Sequence, residues 1–115
     1  MSEATQAATR ARNAAPALAQ ASNELRNEAL FAMASALRAH TQGILEESLL
    51  DRLMLNEDRL ASMADALVAL ANLRDPLGRV LEERMLYNNI QLRRVTVPLG
   101  VVAMVYEARP NVTAD

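Results

Sequence analysis

Apolar positions recur every three or four residues through the first part of the chain, then switch to near alternation. Residues 3 to 21 place Ala7, Ala8, Ala11, Ala15, Leu18 and Ala19 on a shallow stripe, which predicts an Ala-rich helix. Pro16 lies inside it and is expected to kink or restart it. Ser22 is a natural N-cap for the next helix, with Glu24 favourable in the first turn. Leu25, Ala29, Leu30, Met33 and Leu37 share one face of that helix, with Arg26, Glu28 and Arg38 elsewhere. It is expected to end between His40 and Gly43, with Gly43 as the stop. A third helical stretch carries Ile44, Leu45, Leu49, Leu50, Leu53 and Met54. Asn56 reads as the cap of a fourth, with Glu57 and Asp58 in its first turn. That helix runs to about Leu73, with Leu60, Met63, Ala64, Leu67, Val68 and Leu70 facing inward. Residues 74 to 78, ArgAspProLeuGly, form a turn by Pro and Gly chemistry.

Beyond Gly78 the period changes. Val80, Leu81, Met85, Leu86 and Tyr87 lead to Asn88-Asn89, a pair that tolerates the positive φ of a tight hairpin. Ile90, Leu92, Val95 and Val97 then interleave with Gln91, Arg93 and Arg94, predicting a β-ribbon with one wet face. Pro98 and Gly100 interrupt it. Val101 to Tyr106 is apolar without alternation, as expected of a strand covered on both sides. Three segments result: helical 1–76, ribbon 77–97, and 98–115, which opens an α/β plan. A parallel strand needs a neighbour reached through a crossover helix, so that plan is unfinished here.

Composition narrows the chemistry. A chain of 115 residues is one domain at most and should bury roughly two-thirds of its unfolded surface. With 51% hydrophobic residues and a net charge of −2, it is not a charged disordered tail. Nucleic acid and anionic membrane are not expected partners, because both call for a concentrated positive field. Phe31, Tyr87 and Tyr106 are too few to build a base-stacking platform. There is no Cys, so disulfides, thiolate metal sites and thiol nucleophiles are absent from this chain. All 12 basic residues are Arg, which removes Schiff-base chemistry and a phosphate-loop lysine. A single His excludes a His-rich zinc site. No apolar run approaches the roughly 20 residues of a membrane helix. The N-terminus has no signal-peptide core; its Arg, Ser and Thr content suits a transit peptide, but the pattern continues into a good helix. The expected location is the cytoplasm.

Carboxylates, Arg, Asn, Tyr and backbone amides remain. They converge on YEARPN, residues 106 to 111, just past the end of the expected strand, where open α/β sheets bind ligands. Arg109 can grip a carboxylate or phosphate with its fork. The Asn111 side-chain amide can donate to a developing oxyanion, and Pro110 fixes the local φ. From residue types alone, the competing reading is a strand-end loop whose Glu107 and Arg109 are merely solvated. Gly43, Gly78 and Gly100 cannot form a phosphate cradle. Asn111-Val112-Thr113 fits the glycosylation pattern only by chance, without a secretion signal. His40 reads as a surface residue near a helix end, Met33, Met54 and Met63 as core filler, and Arg93-Arg94 as a solvated face.

Taken whole, VPLGVVAMVYEARPNVTAD resembles the signature segment of the γ-glutamyl phosphate reductase (glutamate-5-semialdehyde dehydrogenase) family. LeuAspArgLeu (50–53), the stretch around Arg59-Leu60-Ala61, LeuArgAspProLeuGly (73–78) and LeuArgArgValThrValProLeuGly (92–100) agree with it. The resemblance implies the N-terminal part of an aldehyde-dehydrogenase-like α/β enzyme: antiparallel helices, an oligomerising ribbon, then the first strand of a Rossmann-like nucleotide-binding domain. It implies NADPH-dependent reduction of L-glutamyl 5-phosphate to glutamate 5-semialdehyde in proline biosynthesis, through a thioester on a Cys that this chain lacks. Carried over, Asn111 is the oxyanion donor, Tyr106 and Glu107 lie along the path of NADP, and Arg109 lies near the substrate's negative groups. A homo-oligomer and a partnership with glutamate 5-kinase are implied as well. The chain is shorter than the family between Ile44 and Leu53. The alternative from a different class is a standalone helix-and-ribbon binding module that pairs through its strand edges, or a remnant without catalysis.

Overall fold

A computed structural model describes residues 1–50, 55–106 and 109–114. Four helices, α1 (Glu3–Gln20), α2 (Asn23–Ala39), α3 (Thr41–Leu50) and α4 (Glu57–Ala71), precede a two-stranded antiparallel sheet, β1 (Val80–Met85) and β2 (Gln91–Val95). A short 3₁₀ turn, Pro110–Thr113, follows. The chain divides into two compact units. One comprises Met1–Gln20 and Arg74–Ala103, the other Ala21–Leu73 and Met104–Asp115.

The second unit holds the core. Both caps read from the sequence form: Ser22 accepts from the Leu25 N–H and Asn56 from the Arg59 N–H, at 3.1 and 2.8 Å. Each satisfies a donor that an open helix end leaves unpaired. α4 buries Leu60, Met63, Ala64, Leu67 and Ala71, spaced by three, four or seven residues along one side. Leu70, expected inward, is 48% exposed, and Ala71 takes the inner position. On α2 the inward stripe is Leu30, Ala34 and Leu37, whereas Leu25 and Met33 are exposed. Ala34 is 1% and Ala64 0% exposed, and with Leu67 they form the centre of the cluster. Two methyl side chains at the contact let the helix backbones approach closely, since interaxial distance follows the size of contact residues. Arg38 and Asp65 pair at the rim of this interface, both exposed. Such a pair contributes at most about 1 kcal/mol.

Gly43 does not stop α2. His40 terminates it, its N–H donating to the Ala36 carbonyl, and Gly43 lies within α3. The end of the expected third helix, 51–54, lies outside the described residues.

In the first unit, α1 is continuous through Pro16 and buries no residue. High Ala propensity supports its remaining turns against a proline that costs an isolated helix about 3 kcal/mol. Turn 74–78 is closed by the Asp75 carboxylate, which accepts from the Leu77 N–H at 3.0 Å, and by Gly78 at φ 69°. The hairpin reverses at Asn88-Asn89, with Asn89 at φ 62°. Cross-strand partners run from Met85↔Gln91 to Val80↔Val95, with an irregularity between Val80 and Glu82. The ribbon buries neither face. The expected half-buried alternation is present in sequence only, because no layer covers it among the described residues.

The expected strand over 101–106 is also not formed. These residues are exposed and unpaired, with Val105 fully so. A strand exists only through a neighbour that takes its hydrogen bonds, and β1 and β2 pair with each other alone.

Leu60→Ala should lower the stability of the α2–α4 unit by roughly 2–5 kcal/mol, and Asn56→Ala by about 1 kcal/mol. Both are read as shifts of the urea midpoint of helical ellipticity. An unshifted midpoint for Leu60→Ala would contradict this core.

Candidate functional site

The described residues of YEARPN belong to the unit that holds the α2–α4 pair. Tyr106 is 46% exposed, and its hydroxyl hydrogen-bonds the Thr113 hydroxyl at 2.6 Å. Glu107 lies outside the described residues. Arg109 is exposed, with φ −120° and ψ 86°, and immediately precedes the 3₁₀ turn. Pro110 opens that turn, where its missing N–H costs nothing. Asn111 is exposed, and its carbonyl accepts from the Ala114 N–H at 2.9 Å. The Arg109 carbonyl accepts from Val112 at 3.2 Å. Ala114 packs against the Ala34–Ala64–Leu67 cluster and anchors the whole turn. Tyr106, Arg109 and Asn111 thus sit on one short segment tied to the helical core, with the cation and the amide both facing water.

Thr113 is the residue that sequence reasoning missed. It entered there only as part of a glycosylation pattern. The spacing of seven residues between Tyr106 and Thr113 carries no periodic signal, since Tyr106 is in no helix or strand and Thr113 ends the 3₁₀ turn.

An apolar groove of about 480 Å³ is lined by Leu30, Met33, Leu37, Ile44 and Met63 together with Thr113 and Ala114 of the turn. His40 lines it as well, with Nδ1 2.9 Å from the Ala36 carbonyl. The groove offers almost no polar chemistry. Among the described residues there is no cluster of His, Cys, Asp and Glu that could hold a metal. No described helix is long and apolar enough to cross a membrane.

The architecture defines a class: an α/β protein of four helices and a small antiparallel sheet, matching the N-terminal part of a reductase structure. The crystal structure of gamma-glutamyl phosphate reductase from Thermotoga maritima superposes on 98% of this chain, with a TM-score of 0.83 and 32% identity, covering 31% of that chain. The chain is a homologue of the gamma-glutamyl phosphate reductases over this region. The enzyme of that name from Erythrobacter litoralis is 44% identical over 96% of this chain and 30% of its own length. The one from Anoxybacillus flavithermus is 43% identical over all of this chain and 32% of its own length. The chain therefore spans about 30% of the length of the curated relatives it matches. The second alignment uses 130 positions for 115 residues, so about 15 positions of that relative have no counterpart here. No family model matches the chain.

Proposed function

We propose that this chain supplies the N-terminal part of an NADPH-dependent reductase that converts L-glutamyl 5-phosphate to glutamate 5-semialdehyde and phosphate in proline biosynthesis. The observation that carries this reading is the match of nearly the whole chain to a gamma-glutamyl phosphate reductase in both sequence and shape. The standalone binding module is not favoured, because the similarity runs through helices, ribbon and tail alike. The segments 1–76, 77–97 and 98–115 would then be helical layer, oligomerising ribbon and entry to the nucleotide domain. The enzyme would work in the cytoplasm, with glutamate 5-kinase as a partner that supplies the acyl phosphate.

In the reaction, hydride from NADPH replaces phosphate at the acyl carbon, which becomes the aldehyde. The family chemistry uses a thioester, and this chain has no Cys. The described residues do not build a dinucleotide cradle either: the three glycines are scattered, and 101–106 has no sheet partner. No hydride step is therefore assigned to residues of this chain. Its contribution is the exposed Asn111 amide as oxyanion donor and Arg109 beside the substrate's anionic groups. Glu107 and the ring of Tyr106 would line the approach of the cofactor. Val101 to Tyr106 would become a strand when a parallel neighbour accepts its hydrogen bonds. The shorter stretch between Ile44 and Leu53 is where the unmatched positions would fall.

A homo-oligomer is supported by the ribbon. Val80, Leu81, Met85, Leu92 and Val95 are each between 40% and 63% exposed on strands with an open edge. Exposed apolar edges pair with further strands unless charge or cover prevents it.

By itself the 115-residue chain should give no NADP-linked oxidation of glutamate 5-semialdehyde above the protein-free rate, and any turnover would contradict the thiol argument. A hybrid in which this chain replaces the matched segment of the Thermotoga maritima enzyme should retain activity. In that hybrid, Asn111→Ala should lower kcat by roughly 10²–10³; a dead, folded hybrid or an unaffected variant would sink the reading. Sedimentation of the isolated chain should shift upward with concentration, and Leu92→Lys should weaken that shift. A concentration-independent monomer would remove the ribbon from the interface.

A further inference from the structure

We infer that Tyr106 is a positioning residue that acts through Thr113, rather than a residue whose hydroxyl meets the cofactor. Its hydroxyl and that of Thr113 are hydrogen-bonded at 2.6 Å, across seven positions of sequence. The two ends of this link differ in kind. Thr113 adjoins Ala114, which is packed on the buried Ala34–Ala64–Leu67 cluster. Tyr106 ends an exposed stretch that takes part in no sheet. The bond therefore carries the rigidity of the helix pair to the segment that presents Arg109 and Asn111.

The two groups suit this task. A tyrosine ring has only two side-chain torsions, so fixing its hydroxyl fixes the backbone to which it is attached. At the ends of the turn, Val112 donates to the Arg109 carbonyl and Ala114 to the Asn111 carbonyl. A four-residue 3₁₀ turn, with its poorer hydrogen-bond geometry, holds its residues weakly, so a further bond from outside changes how well Asn111 is oriented. The catalytic meaning of this orientation rests on the proposed oxyanion role of Asn111; the tether itself does not.

Amide exchange on the 115-residue chain separates the two. Tyr106→Phe and Thr113→Val should each speed exchange at Val112 and Ala114 by roughly 2- to 10-fold, the range of one lost hydrogen bond. The double variant should do no more than either alone, because both remove the same bond. Thr113→Ser keeps the hydroxyl and should restore near-parent rates. Amides of Leu60 to Ala71 should be unchanged and serve as the internal check on folding. Unchanged rates in both single variants, or effects that multiply in the double, would overturn the tether. In the hybrid enzyme, Tyr106→Phe should lower kcat and leave the KM for NADPH unchanged, whereas a raised KM with intact kcat would return Tyr106 to the cofactor. An inactive hybrid would fail the functional reading alone, since the exchange result does not depend on turnover.

Discussion

The contact of α2 with α4 through Ala34 and Ala64 is the constraint on which the described core depends. Two methyl groups at the crossing set the spacing, and Leu60, Met63 and Leu67 fill the volume around it. Replacing either alanine with a longer side chain would push the helices apart and expose those three together. Caps at Ser22 and Asn56 fix where each helix begins, and so which residues fall on the inner face. Ala114 reaches the same cluster from the far end of the chain. The segment bearing Arg109 and Asn111 is thereby held by the helical core, although it is remote from it in sequence.

The ribbon and the tail obey a different economy. They are rich in Val, Leu and Met, yet remain exposed from Val80 to Tyr106 with few exceptions. Apolar surface of this extent normally marks an interaction face. The relatives offer a consistent account, since they are about three times as long as the stretch matched here. The β-branched composition of 101–106 suits a sheet, but hydrogen bonding to a neighbour is what makes a strand.

At the candidate site, chemistry and support come from different places. The amide of Asn111 and the guanidinium of Arg109 are ordinary exposed groups, and nothing in their surroundings alone marks them as reactive. Support comes from Pro110, which starts the turn, from Ala114, which is buried against helices, and from the Tyr106–Thr113 hydrogen bond. Under the proposed oxyanion role of Asn111, such supports would supply what that role requires, a donor held in place before charge develops.

Periodicity, caps and turn chemistry by themselves determined the order of four helices and a hairpin, because these are local preferences of three to seven residues. Ser22, Asn56, Asn89 and Gly78 each act through backbone geometry within their own turn. Periodicity also placed Leu60, Met63, Ala64 and Leu67 inside, but tertiary structure decided for Ala34 and Ala71 over Met33 and Leu70, and for none of the ribbon. It also decided that 101–106 stays unpaired and that Tyr106 finds Thr113. Burial and pairing depend on a partner surface, and a linear pattern states only that a residue could accept one.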